Sequence, residues 1–259
     1  MSLGISFLGS GSSGNSLVIH SDQIGIMFDA GFSRAEIMSR LNSLNIKPEI
    51  IKALVLSHEH LDHSKGARVF ADKMGIPTYA TTTTAKILLE KSQISANTVM
   101  FEPGAEFELF GFRIRSFSVP HDAQETVGFS ITKDNIRIGV ATDLGHMTAL
   151  CEQRLKGCSV LILESNHDIK MQMNSKRDPN LIKRVLGNNG HLSNDCAAEA
   201  LERIITKETS KIFLVHISRE CNEYDIVEKT AREKLAQMGR QDILLEIATQ
   251  EPLKTVFIN

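Results

Sequence analysis

The apolar stretch from Ile50 to Leu56 runs directly into Ser57-His58-Glu59-His60-Leu61-Asp62-His63, so three imidazoles and a carboxylate stand within six residues. His58 and His60 are two apart, and at a strand end both rings leave on the same face and can share one ion. Asp62 and His63 are adjacent and cannot point the same way in an extended chain. In a tight turn opening a helix they can, and there they would reach a second ion. The fragment therefore implies two metals. Grouping several imidazoles and a carboxylate in a half-buried site without a cation would cost several kcal/mol of desolvation, a penalty that a metal removes.

A pair of ions needs more ligands than one cluster offers, and they should lie where other strands end. His121 follows Phe117-Ser118-Val119-Pro120, Asp143 follows Ile138-Gly139-Val140-Ala141-Thr142, and His216 follows Ile212-Phe213-Leu214-Val215. Each polar residue terminates an apolar run. With the cluster they complete two shells of three to four ligands if Asp143 bridges the ions.

The rest of the chain reads as strands alternating with helices. Strands are expected at Ile5 to Leu8, Ser16 to His20, Gly25 to Phe28, Ile51 to Leu56, Thr78 to Ala80 and Glu106 to Leu109. Others are expected at Arg113 to Val119, Thr126 to Ile131, Arg137 to Ala141, Val160 to Leu163, Ile212 to Val215 and Leu244 to Ile247. Ser33-Arg34-Ala35-Glu36 is a capping box for a helix whose apolar stripe is Ile37, Leu41 and Leu44. Further helices are expected over Ser64 to Met74, stopped by Gly75, and over about Asn194 to Thr206 and Tyr224 to Met238. Gly9-Ser10-Gly11-Ser12-Ser13-Gly14 satisfies G-x-G-x-x-G, but the β-like Ser16-Leu17-Val18-Ile19-His20 follows where a dinucleotide site needs a helix. A hairpin loop is expected, with no nucleotide cofactor. Many strands, interspersed helices and no repeat suggest two sheets covered by outer helices.

No composition shift or Pro/Gly/Ser-rich linker divides the 259 residues, so a single domain over 1–259 is expected. No apolar run approaches the eighteen or so residues of a membrane span, and Met1-Ser2-Leu3-Gly4-Ile5 lacks the basic start of a signal peptide. A cytoplasmic location is expected, with no membrane partner. Cys151, Cys158, Cys196 and Cys221 form no C-x-x-C pair, so reduced thiols are expected. With a net charge of −2, a polyanionic substrate must be held by a local basic patch.

The run His58 to His63 matches the H-x-H-x-D-H signature of the metallo-β-lactamase fold superfamily, which the chain resembles over most of its length. The resemblance implies an α/β (α+β) fold, a four-layer αββα sandwich of two mixed β-sheets flanked by helices. It implies that Asp29, in Phe28-Asp29-Ala30-Gly31, is an early structural aspartate. It assigns His58, His60, His121 and Asp143 to one metal, and Asp62, His63, Asp143 and His216 to the other. Gly190-His191-Leu192-Ser193-Asn194 and Leu163-Glu164-Ser165-Asn166 resemble two elements of ribonuclease Z, in which the glutamate orients a histidine that protonates the leaving oxygen. His216-Ile217-Ser218-Arg219 resembles the ending that supplies its last ligand. Together with the glycine loop these fragments look most like the bacterial YycJ/WalJ group, associated with 5′-to-3′ exonuclease activity on double-stranded DNA.

The expected chemistry is in-line attack on phosphorus by a hydroxide bridging two divalent metals, Zn²⁺ or Mn²⁺ with Fe also suited. Asp62 would orient the nucleophile. His191, set by Glu164, would protonate the leaving sugar oxygen. Between those two residues, Ile169 to Gly190 carries Lys170, Lys176, Arg177, Lys183 and Arg184 against Asp178 alone, a basic loop that could hold a phosphodiester backbone or be a solvated face. His167, Arg219 and Asn15, the last at the tip of the glycine loop, are further candidates for substrate contact, while His146 could serve phosphate or a structural hydrogen bond. Two other readings stay open: hydrolysis of a small ester, thioester or cyclic phosphodiester by the same metals, and a non-catalytic binding protein.

Overall fold

The computed structural model describes residues 2–258. Its strands and helices follow in the order β1 Leu3–Gly9, β2 Ser16–His20, β3 Gly25–Phe28, α1 Arg34–Ser43, β4 Ile51–Val55, α2 Leu61–Ser64, α3 Ala67–Met74, β5 Thr78–Thr81, α4 Thr82–Glu90, β6 Val99–Phe101, β7 Glu106–Leu109 and β8 Phe112–Ser118. There follow β9 Val127–Lys133, β10 Ile136–Ala141, α5 Ala149–Leu155, β11 Val160–Glu164, α6 Ile169–Met173, α7 Pro179–Val185, α8 Asn194–Ile204, β12 Lys211–Val215, α9 Tyr224–Gln237, β13 Leu244–Ile247 and β14 Leu253–Ile258.

The strands form two seven-stranded sheets, ordered β14-β1-β2-β3-β4-β5-β6 and β13-β12-β11-β10-β9-β8-β7. Both are mixed. In the first, β14, β1, β2 and β3 pair antiparallel, whereas β3, β4, β5 and β6 are parallel. In the second, β8, β9 and β10 are antiparallel, whereas β10, β11, β12 and β13 are parallel. Helices flank both sheets, as expected of an α/β chain. Loops at the carboxyl ends of parallel strands are where such sheets present functional groups, and β4, β10, β11 and β12 all end there.

The chain divides into two compact units, one taking the chain up to Gly111, Ala123–Glu125 and the segment from Ala248, the other Phe112–Asp122 and Thr126–Ile247. Each has its own apolar core. In the first, Ile37 and Leu41 of α1 and Phe70 of α3 pack with Met27, Leu54 and Leu56. In the second, Leu201 and Ile204 of α8 and Val227, Ala231 and Leu235 of α9 pack with Leu161, Leu163 and Leu214.

Local signals explain where elements begin and stop. Ser33 caps α1 by accepting from the Glu36 backbone N–H at 3.3 Å, the expected capping contact. The single helix expected over Ser64 to Met74 is instead two, α2 and α3, divided at Lys65 and Gly66. A Cβ on Gly66 would lie 2.0 Å from the Phe32 carbonyl oxygen, and the Gly66 N–H donates to the Ala30 carbonyl at 2.8 Å. This close approach ties the turn to the loop after β3 and starts a new helix beyond it. Gly75, at φ 65, ends α3 as expected. Helix α4 went unforeseen because four consecutive threonines open it, yet Thr81 caps it by accepting from the Thr84 N–H. The basic loop expected between Ile169 and Gly190 contains two short helices, α6 and α7, capped by Asp168 and Asp178.

Candidate metal centre

In the first unit, β4 delivers Ser57 to His63, and Asp29, directly after β3, organises them. The Asp29 carboxylate accepts from the Ser57 N–H at 2.8 Å, from Ser57 Oγ at 2.8 Å and from His63 Nδ1 at 2.8 Å. Because a carboxylate only accepts, His63 carries its proton on Nδ1. Ser57 Oγ–H donates to Asp29, so at 2.9 Å its oxygen accepts from His58 Nδ1. One carboxylate thus sets two imidazoles in the same tautomer, with Nε2 bearing the lone pair. The ring of His58 lies 4.7 Å from that of His60 and 4.2 Å from that of His63, centroid to centroid.

Asn15 belongs to this construction. It is buried, not exposed at a loop tip: its side-chain oxygen accepts from the Gly11 N–H at 2.8 Å, and Nδ2 donates to His63 Nε2 at 3.0 Å and Asp62 Oδ2 at 3.3 Å. Backbone contacts lock the same corner. The Asp62 carbonyl accepts from the Asn15 N–H, the His63 carbonyl accepts from the Ala30 N–H, and a Cβ on Gly31 would sit 1.8 Å from the Asp62 oxygen.

In the second unit, Asp143 follows β10, Glu164 ends β11, His216 follows β12, and His121 lies three residues beyond β8. Their ligand atoms converge: one oxygen or nitrogen each from Asp143, Glu164, His191 and His216 lies within 4.8 Å of the others. Glu164, fully buried, is the hub. Its Oε1 accepts from His191 Nδ1 at 2.9 Å and from His216 Nδ1 at 2.7 Å, and its Oε2 accepts from the Leu144 and Leu192 N–H groups, each at 2.9 Å. Burial by itself would raise the Glu164 pKa, but the charge and hydrogen bonds of His191 and His216 outweigh it and bring the carboxyl to about 2. Both imidazoles therefore carry a proton on Nδ1 as well. His121 is a third, since its Nδ1 lies 3.1 Å from the Gly190 carbonyl, which can only accept.

The lone pair of His121 Nε2 then faces carboxylate oxygens, Asp122 Oδ1 at 3.2 Å and Asp143 Oδ1 at 3.6 Å. Three acceptors turned on one another form an arrangement that a divalent cation completes, and imidazole nitrogens with carboxylate oxygens are a donor set that zinc, manganese and iron accept. Asp29, Asp143 and His216 all adopt φ between 54 and 59, the left-handed region that costs a non-glycine residue of order 1 kcal/mol or more. That conformation turns the chain sharply at each strand end and directs the side chain back over the sheet edge.

Residues that escaped sequence reasoning support these. Asn166 Nδ2 donates to the His216 carbonyl at 2.7 Å, and Asn222 Nδ2 donates to the Ser165 and Asn166 carbonyls, joining the ends of β11 and β12. Asn194, at the start of α8, donates to Asn222 Oδ1 at 2.8 Å. Asn166 and Asn194 stand in the two fragments that resemble ribonuclease Z, and Ser57 and Asp122 stand next to candidate ligand histidines, whereas Asn222 carries no such signal.

The substrate candidates fall out differently. Lys170, Lys176 and Arg219 are exposed. Arg177 pairs with Glu220 at 2.7 Å and donates to Gln172 and Ser218, and Arg184 pairs with Asp122 at 2.5 Å, so two of the five cations in that stretch already have carboxylate partners. His146 Nδ1 donates to the Asn188 carbonyl at 2.8 Å, the structural hydrogen bond. His167 is 1% exposed, its Nδ1 has no hydrogen-bond partner among the described residues, and burial lowers its pKa from 6.5 to about 4, with Glu164 opposing the shift and His191 adding to it.

A stability prediction follows from His167. Below about pH 6.5 the unfolded chain takes up this proton while the folded chain does not, so stability is lost as pH falls from 6.5 toward 4. At about 1.4 kcal/mol per pH unit the loss between pH 6.5 and 5 is about 2 kcal/mol. Urea unfolding of metal-free protein at the two pH values should show this loss in the wild type and not in His167→Asn; equal slopes would refute it.

The residues 25–217 match the family model for the beta-lactamase superfamily domain. The chain belongs to the metallo-β-lactamase superfamily. It is 33% identical over 236 residues to the exodeoxyribonuclease WalJ of Streptococcus pneumoniae serotype 2, a match covering 90% of this chain and 88% of that protein. To the exodeoxyribonuclease YycJ of Bacillus anthracis it is 31% identical over 244 residues, covering 92% and 91%. The crystal structure of the metallo-β-lactamase fold protein YhfI from Bacillus subtilis superposes with a TM-score of 0.75 at 16% identity, covering 100% of both chains. The superfamily membership read from His58 to His63 and the likeness to the WalJ and YycJ proteins are thereby borne out. None of the four cysteines forms a disulfide, and no helix among the described residues is long and apolar enough to cross a membrane.

Proposed function

We propose that this chain is a metal-dependent phosphodiester hydrolase that digests double-stranded DNA as a 5′-to-3′ exonuclease. Relatives named exodeoxyribonucleases, aligned along nine-tenths of the chain, support the substrate class. The observation that carries the chemistry is the shared grip of Glu164 on His191 and His216. It prepares one imidazole to hold a metal and its neighbour to move a proton, which is what a leaving sugar alkoxide requires and a thiolate or a stabilised leaving group does not.

The residues assigned to two divalent cations are His58, His60, Asp62, His63, His121, Asp143 and His216, with Asp143 shared. When bound, the cations supply Lewis acidity toward the phosphoryl oxygens and lower the pKa of water. Asp62, held by Asn15, would orient the attacking water. His191, with Nδ1 donating to Glu164 and a second proton on Nε2, would give that Nε2 proton to the leaving oxygen and be left as the neutral Nδ1–H imidazole. Lys170, Lys176 and Arg219 would contact the backbone, and Arg177 would do so by exchanging Glu220 for phosphate; His167 would line the same approach. Both compact units would act as one catalytic domain, a reading supported by the single family match that runs through the two.

Protein supplied with Mn²⁺ should release mononucleotides from the 5′ end of a labelled DNA duplex, and a chelator should stop it. A protein inert on DNA and RNA that cleaves a thioester would overturn the reading. Elemental analysis after purification without added metal would identify the ion.

A further inference from the structure

The exposed residues that follow the histidine cluster recur with helical spacing: Leu61, Lys65, Arg68, Val69, Asp72 and Lys73 face solvent, while His63, Ser64, Ala67, Phe70 and Ala71 are buried. Lys65 and Gly66 keep right-handed helical backbone angles, so the stripe continues across the gap between α2 and α3. It begins between two expected ligands, at Leu61, which is 59% exposed. Lys65, Arg68, Val69, Asp72, Lys73, Ser92 and Gln93 line a pocket of about 380 Å³ on this face.

Asp72 accepts a short hydrogen bond from Ser95 Oγ and lies 3.7 Å from Arg68 Nε. Arg68 Nη1 donates to the Ser92 carbonyl at 3.1 Å, which fixes the guanidinium at the pocket wall while its side chain stays 50% exposed. Lys65 and Lys73 have no ion-pair partner among the described residues. Lys65 and Lys73 stand eight positions apart on right-handed helical backbone, about 12 Å at 1.5 Å per residue, a length that spans three to four steps of B-DNA at about 3.4 Å each.

We propose that this face of α2 and α3 is a track for the backbone of duplex DNA, in which Lys65, Arg68 and Lys73 hold phosphates beyond the one being cut. The inference rests on the nuclease reading above and adds to it a surface on the first unit. Cations that do not touch bases bind every sequence alike, so the track sets register and affinity but no sequence preference.

Binding of the Mn²⁺-loaded protein to a phosphorothioate-protected duplex would be measured against salt for wild type, Lys65→Ala/Lys73→Ala and the control Lys207→Ala, whose side chain is 92% exposed. Loss of two phosphate contacts should lower the slope of log K against log salt by about 2 and weaken binding at least tenfold at moderate salt, with Lys207→Ala unchanged. Turnover of thymidine 5′-(p-nitrophenyl phosphate), too small to reach α3, should be unaffected. A double variant with wild-type slope and affinity, or a control that loses as much per charge, would overturn the track and leave the nuclease reading standing. A wild type that neither binds nor digests the duplex would overturn both.

Discussion

Glu164→Gln should lower kcat on duplex DNA by about 10²- to 10⁴-fold, the range expected when a general acid loses its orientation. An amide in place of the carboxylate keeps the shape but offers one acceptor where Glu164 meets four donors: two imidazole Nδ1–H groups and the N–H groups of Leu144 and Leu192. Its NH₂ must face donors, and leaving buried groups unpaired costs roughly 1–3 kcal/mol each. Two further measurements separate the roles. With a p-nitrophenyl leaving group, which needs little protonation, the loss should shrink. Metal content should fall in Glu164→Gln, because His216 loses the partner that fixes its tautomer, and should hold in His191→Ala. Unchanged activity and metal content in Glu164→Gln would refute the shared-hub role.

Asp29→Asn should weaken metal binding or activity by about 10- to 100-fold, the usual consequence of removing a carboxylate that orients a ligand histidine. Asparagine tolerates the left-handed conformation that Asp29 adopts at φ 59, so the backbone turn survives and the effect isolates the carboxylate. The Ser57 N–H and hydroxyl and His63 Nδ1 would then compete for one carbonyl oxygen, and the Nδ1–H tautomers of His63 and His58 would no longer be enforced. Metal titration monitored by calorimetry would detect the loss. Wild-type affinity in this variant would show that the ligands keep their tautomers without Asp29.

Several misreadings of the sequence share one cause. Asn15 looked like a loop-tip residue because glycines and serines surround it, but its amide is consumed by Gly11, Asp62 and His63. Arg177 and Arg184 read as unpaired cations because nearby residues supply one acid, whereas Glu220 and Asp122, remote along the chain, pair with them, so that Arg177 would meet a phosphate only by exchanging Glu220. Lys65 and Lys73 were overlooked for the converse reason. They are interleaved with core positions of a helix, and only the folded stripe brings them to one face.

The residues alone determined the strand-end pattern and the metal-binding character of His58 to His63, because a two-residue period and a polar stop after an apolar run are local properties of the chain. Membership of the superfamily was legible from the same motif. Tertiary structure decided which nitrogen of His63, His191 and His216 donates to a carboxylate and which carboxylate receives it. Those hydrogen bonds join residues far apart in sequence, His63 to Asp29 across 34 positions, His191 to Glu164 across 27 and His216 to Glu164 across 52. No local period encodes such pairings. They exist only once the parallel strands lie side by side with their carboxyl ends aligned, so that one buried carboxylate can reach two imidazoles.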